Sequence, residues 1–128
     1  MPEYDIKLIR GEGGDWVGRC DAVRGNTQAA SARGALDGLR DVIALVEEIE
    51  VSAVEFRSME IDLAGADSAS DLLAEVRQAR RELAAIEAKS RERTREAVRQ
   101  FSEAGVTRRD VGALLGLSHQ RVAQLLSA

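Results

Sequence analysis

The chain has 128 residues, 45% of them apolar and only 3% aromatic, so one ordinary domain or two very small ones must be packed from Leu, Ile, Val and Ala. A single cysteine, Cys20, excludes an intrachain disulfide and suits a reducing cytoplasm, and no run approaches the roughly 18 apolar residues of a membrane-spanning helix. The net charge of −4 is held unevenly: residues 1–68 carry 7 Lys and Arg against 14 Asp and Glu, whereas residues 69–128 carry 11 against 8, a polarity that suits two kinds of partner.

The opening MPEYDIKLIR has no basic flank leading into an apolar run, so no signal peptide is expected. Residues 4–10 alternate and are rich in strand formers; the Gly-rich RGEGGD then turns the chain into a second strand over 16–23, giving a hairpin. Residues 24–30 add a short third strand. From Ser31, a plausible N-cap, the period changes. Ala35, Leu36, Leu39, Val42, Ile43, Val46 and Ile49 share one face of a helix of about 17 residues, and that face must cover the sheet. Alternation returns over 51–63 as a fourth strand. The expected class is α+β: a small β-β-β-α-β domain over 1–63, a Gly/Ser/Asp/Ala linker over 64–70, and helix from Asp71 to Ala104.

Along that helix Leu72, Val76, Ala79, Leu83 and Ile86 are spaced at intervals of 4, 3, 4 and 3, a heptad seam. The seam suits a homodimer contact through Leu72, Val76, Leu83 and Ile86, or packing onto the α+β domain. It stops at KSRERTR (89–95), charged all round, which either touches a phosphate backbone or keeps the helix solvated. Apolar residues resume in a shifted phase at Ala97, Val98 and Phe101. Residues 71–93 are therefore read as a connecting helix, either continuous with the helical stretch after it or jointed near Ser90.

The last stretch, 94–128, is the most specific. Gly105 suits a left-handed cap. Thr107 opens a helix with Asp110 three residues on, close to a capping box, and Ser118 caps another. Val111, Leu114 and Leu115 are expected inside the first of these helices, and Val122, Leu125 and Leu126 inside the second. Gly112 stands four residues before the turn residue Gly116, with apolar residues at Val111, Leu115, Leu117, Val122 and Leu125. This arrangement resembles the helix-turn-helix of DNA-binding proteins, in which the small residue lets two helices cross closely and the turn glycine adopts a left-handed backbone. The resemblance implies that Ser118, His119, Gln120, Arg121 and Gln124 face base edges in a major groove, since Gln pairs bidentately with adenine and Arg with guanine. Thr107, Arg108 and Arg109 would lie where the chain crosses phosphates. Residues 89–128 hold 8 basic against 4 acidic side chains, modest for one module, and a dimer would double the phosphate contacts.

The front half, through Tyr4, Gly14, Trp16, Gly25, Thr27, Ala35 and Leu39, resembles the HicB antitoxins. That resemblance implies an inhibitor domain that blocks a small RNA-cleaving toxin, HicA, and a C-terminal module that binds double-stranded operator DNA as a repressor. An acidic surface would suit a small basic toxin. The alternatives are a stand-alone regulator whose α+β domain serves dimerisation or ligand sensing, and an interaction adaptor that binds no DNA.

Other chemistry finds little support. His119 is the only histidine, and one His with one Cys cannot build a structural zinc site, so neither an enzyme nor a metal or other cofactor is expected. GEGG (11–14) lacks the Lys and succeeding helix of a phosphate loop and reads as a hairpin turn. Asp5, Asp15, Asp21 and Asp62 read as a solvated acidic face, and Cys20 as a small core residue.

Overall fold

The computed structural model describes residues 3–127, and the chain divides into two compact units, Met1–Gln78 and Ala79–Ala128. The class is α+β. The elements run β1 (Glu3–Arg10), β2 (Trp16–Cys20), β3 (Gly25–Ala29), α1 (Ala32–Glu47), β4 (Glu55–Asp62), α2 (Ala69–Glu103), α3 (Arg108–Leu115) and α4 (His119–Ser127). Among the described residues, no helix is long and apolar enough to cross a membrane.

In the first unit the four strands lie in the order β3-β2-β1-β4, with β1 antiparallel to β2, β2 antiparallel to β3, and β1 parallel to β4. β3 and β4 therefore run the same way at opposite edges, a connection that needs a crossover helix, and α1 supplies it. GEGG is a hairpin turn: Gly11 N donates to Asp15 O at 2.8 Å and Gly14 N to Gly11 O at 3.0 Å. β2 ends three residues before its expected limit, because Asp21–Val23 coil into a 3-10 turn closed by Arg24 at φ 53°.

Ser31 caps α1 by accepting from Gly34 N at 3.0 Å. One face of the sheet and one face of α1 make the core: Tyr4, Ile6 and Leu8 of β1, Cys20 of β2 and Phe56 of β4 against Ala35, Leu39, Ile43 and Ala44. The approach is close because the facing residues are small. A Cβ on Gly38 would collide with the Thr27 side chain, and one on Gly18 would meet Leu39 Cδ1 at 2.8 Å. Val46, expected on the buried face, is instead 54% exposed and neighbours Leu45 at 81%. The cause is the helix end. Glu48 turns left-handed at φ 55°, Ile49 N bonds back to Ala44 O at 3.1 Å, and Ile49 packs on the core in place of Val46.

β4 departs from plain alternation. Its register on β1 slips between Tyr4 and Asp5, so that Arg57 is the extra residue of a bulge. Val54 and Phe56 before it, and Met59 and Ile61 after it, all meet the core. The bulge also brings Arg57 and Ser58 together onto one carboxylate: Asp5 accepts from Arg57 Nε at 3.0 Å, from Arg57 Nη2 at 2.5 Å and from Ser58 Oγ at 2.7 Å.

The free edge of β4 is covered by the start of α2. Ser70 Oγ accepts from Ile61 N at 2.8 Å and donates to Ile61 O at 3.0 Å. Further along the same helix, Arg77 donates to Phe56 O. An edge strand closed by helix side chains is no longer a template for intermolecular pairing. Ser70, expected in the linker, thus belongs to a helix that starts at Ala69 and is anchored from its first turn. Arg40 of α1 lies 4.6 Å from the Phe56 ring centre, stacked on its face.

In the second unit α2 runs through Ser90 and Thr94 to Glu103 with no joint. Val98 of α2, Val111 of α3 and Val122 of α4 are fully buried together, with Phe101, Val106, Leu115, Leu117 and Leu125 packed round them. Gly105, at φ 91°, ends α2: Val106 N donates to Phe101 O and Gly105 N to Ser102 O, both at 3.0 Å, and Val106 and Phe101 seal the turn with an apolar contact.

The hydrogen bonds from Arg57, then Ser58, hold the Asp5 carboxyl down at about 2 from its ordinary 3.8. A depressed carboxylate stabilises the fold above its unfolded pKa, and this contribution disappears as pH falls toward the folded value. Thermal melts of wild type and Asp5→Asn should therefore differ most above about pH 4, and the gap should narrow steadily toward pH 2. A gap independent of pH would show that Asp5 acts by packing alone.

Candidate nucleic-acid interface

The local chemistry of 104–127 places each end of α3 and α4. Thr107 Oγ1 accepts from Asp110 N at 3.2 Å and Ser118 Oγ from Arg121 N at 3.1 Å, so each helix opens on a hydroxyl cap. α3 closes at Gly116, whose φ of 72° suits glycine. Gly112 O accepts from both Gly116 N and Leu117 N, the latter at 2.8 Å. A Cβ on Gly112 would overlap the Leu117 carbonyl oxygen. The crossing of α3 and α4 is thus fixed by backbone meeting backbone.

Val111, Gly112 and Val122 are buried and Leu115, Leu117 and Leu125 half-buried. Two residues expected inside are not: Leu114 is 69% and Leu126 38% exposed. α3 has only eight residues, and its single packed face is used up by Val111, Gly112 and Leu115.

Ser118, His119, Gln120, Arg121 and Gln124 are all exposed. Gln120 and Gln124 are one turn apart on the outer face of α4, and Arg121 Nη1 donates to Gln124 Oε1 at 3.3 Å. Ser118 spends its hydroxyl as a cap. Thr107, Arg108 and Arg109 are likewise exposed at the start of α3. Two cations in a helix's first turn oppose its macrodipole, so Arg108 and Arg109 give α3 nothing locally.

The seam residues of α2 are open: Leu72 is 58%, Val76 52%, Leu83 55% and Ile86 66% exposed. Leu72 and Val76, which belong to the sheet unit, take no part in its core. Sequence reasoning missed two further features. Leu45, Val46 and Val51 form exposed apolar positions around the end of α1, among exposed Asp41, Glu47, Glu48 and Glu50. The signal was Leu45, which lies off the periodic face of Leu39 and Ile43. Second, Arg91 and Arg95, in the stretch expected either to touch phosphate or to stay solvated, line one cleft with Arg121 of α4.

Cys20 is fully buried and free. Among the described residues no three His, Cys, Asp or Glu side chains gather in a way that would hold a metal ion. Asp15, Asp21 and Asp62 are exposed, and Asp5 is committed to Arg57 and Ser58.

No protein-family model matches this chain, and neither does a curated protein or a solved structure.

Because the obstacle to a side chain at Gly112 is a backbone carbonyl, Gly112→Ala should destabilise the helical unit by about 1–3 kcal/mol. Denaturant titration monitored by far-UV ellipticity checks this. An unchanged midpoint would mean that α3 and α4 can separate without loss.

Proposed function

We propose that the chain is a HicB-like antitoxin and transcriptional repressor. It binds double-stranded operator DNA through α3 and α4 as a helix-turn-helix, and neutralises a small basic toxin through its acidic sheet unit. The observation that carries the DNA-binding reading is the α3–α4 crossing. Gly112 lets the chain cross closely, Gly116 turns it, and Gln120, Arg121 and Gln124 are all exposed in the first turns of α4. In this reading α4 enters the major groove, its amide and guanidinium groups pair with base edges, and Arg108 and Arg109 hold phosphates. His119 flanks the reading surface, and Ser118 and Thr107 orient the two helices through their caps.

The exposed seam of Leu72, Val76, Leu83 and Ile86 supports a homodimer. Large aliphatic side chains at heptad spacing gain most by pairing with a second copy, and pairing doubles the phosphate contacts of a module with few cations. The toxin reading rests on the excess of carboxylates in residues 1–68 and on the apolar positions Leu45, Val46 and Val51 set among Asp41, Glu47, Glu48 and Glu50. Acidic rim and apolar centre suit a basic protein partner.

Binding of the intact chain to the DNA upstream of its own gene, beside a scrambled duplex, tests the first part. Gln120→Ala with Arg121→Ala should erase the preference between the two, each lost base pair contact costing about 1–3 kcal/mol of discrimination. Arg108→Ala with Arg109→Ala should weaken both duplexes alike and lower the salt slope by about 2. An undiminished preference in the first variant would remove α4 from the reading role. For the seam, Leu83→Glu should reduce the mass seen by light scattering from twice the 13.9 kDa chain to once. A wild-type chain already monomeric at micromolar concentration would reject the dimer.

A further inference from the structure

A basic stretch separates the heptad seam of α2 from Val98, the helix's one fully buried residue. Ser90, Arg91, Thr94 and Arg95 of α2 face Leu117, Arg121 and Leu125 across a cleft of about 170 Å³ within the helical unit. Three arginines line it, and no carboxylate does. Arg95 also borders the neighbouring cleft with Glu92 and Glu96, where Glu96 binds Arg99 at 2.6 Å. Among the described residues neither Arg91 nor Arg95 has an ion-pair partner. They are one helical turn apart, and a like-charge pair at that spacing works against the helix. Arg91, Arg95 and Arg121 are all exposed, so their charges face solvent.

We infer that Arg91 and Arg95 form a phosphate clamp on duplex DNA, gripping the sugar-phosphate backbone beside the bases that Arg121 and its neighbours read. The inference rests on the DNA-binding reading of α4 and extends the contact surface to a third helix. Arg121 links the two surfaces. It belongs to the exposed face of α4 and also borders the cleft, so a strand that brings a base edge to Arg121 carries its own phosphates past Arg91 and Arg95. The two arginines are about 6 Å apart along the helix axis, suited to successive phosphates of one strand rather than to one bidentate anion. Contacts of this kind add affinity and a salt dependence without reading sequence.

The test uses the intact chain with Arg91→Gln/Arg95→Gln and with Arg91→Lys/Arg95→Lys. Both positions are exposed, and Gln and Lys are good helix formers, so α2 survives either change. Affinity is measured against salt concentration on the upstream duplex and on a scrambled one. The Gln pair is expected to weaken both duplexes about tenfold or more and to lower the salt slope by up to about 2, at roughly 0.9 per lost phosphate contact, with the ratio between the duplexes kept. The Lys pair should restore the slope. Affinity and slope equal to wild type in the Gln pair would overturn the clamp while leaving the α4 reading intact. Loss of the ratio with an unchanged slope would also overturn it, by making the pair a base-reading group. If the wild-type chain binds neither duplex, the helix-turn-helix reading falls and the clamp falls with it.

Discussion

The fold rests on close approach at glycines, and at Gly112 the approach is of backbone to backbone, against Leu117. With aromatics at 3% of the chain, no large ring is available to fill space between elements. Elements must approach until small aliphatic side chains touch. In the helical unit Gly112 O takes the amides of Gly116 and Leu117, and this brings three valines, 98, 111 and 122, together as a sufficient core. In the sheet unit Gly18 and Gly38 leave room for side chains instead, Leu39 and Thr27 filling the space where their Cβ atoms would be. The cost is sensitivity, since a missing Cβ leaves no slack to absorb a larger residue. The gain is direction. A crossing set by backbone atoms aims the outer face of α4 regardless of surface side-chain rotamers.

Much of this is written in local spacing. The four-residue rhythm of Ala35, Leu39 and Ile43, the hydroxyl caps Ser31, Thr107 and Ser118, and the glycines at 105, 112 and 116 are decided within a few residues of themselves, so they read directly from sequence. The bulge at Arg57 does not, because it exists only relative to β1: the slip between Tyr4 and Asp5 is a fact about two strands. Val46 gave way to Ile49 for a similar reason. A helix period says which residues share a face, but where the helix stops decides who occupies it, and Glu48 stops α1 in a backbone conformation that glutamate rarely adopts. The charged run at 89–95 left one or two helices equally open. Arg, Glu and Lys all favour helix, and α2 passes straight through. The cleft shared by Arg91, Arg95 and Arg121 joins residues 30 apart in sequence, beyond the reach of periodicity.

The ion pairs have a pattern of their own. Arg40–Asp37, Arg99–Glu96 and Arg99–Glu103 are local to one helix each and exposed, the kind worth little to stability. Asp5–Arg57 joins two strands. These pairs use few of the carboxylates of residues 1–68, which outnumber their cations 14 to 7. The surplus of acids in the first half and of bases in the second gives the two halves of the chain opposite electrostatic characters.

The sole tryptophan, tyrosine and cysteine of the chain, Trp16, Tyr4 and Cys20, all lie in the sheet unit. Intrinsic fluorescence therefore reports on that unit alone. Cys20, with none of its surface accessible, reacts with a thiol reagent only when the sheet and α1 open, so its labelling rate times that opening and nothing else. The helical unit, whose one aromatic is Phe101, is optically silent above 280 nm. Melting of α3 and α4 would pass unnoticed in an emission trace and appear only in backbone ellipticity or amide exchange. A chain that looks folded by tryptophan can already have lost the half proposed to read DNA.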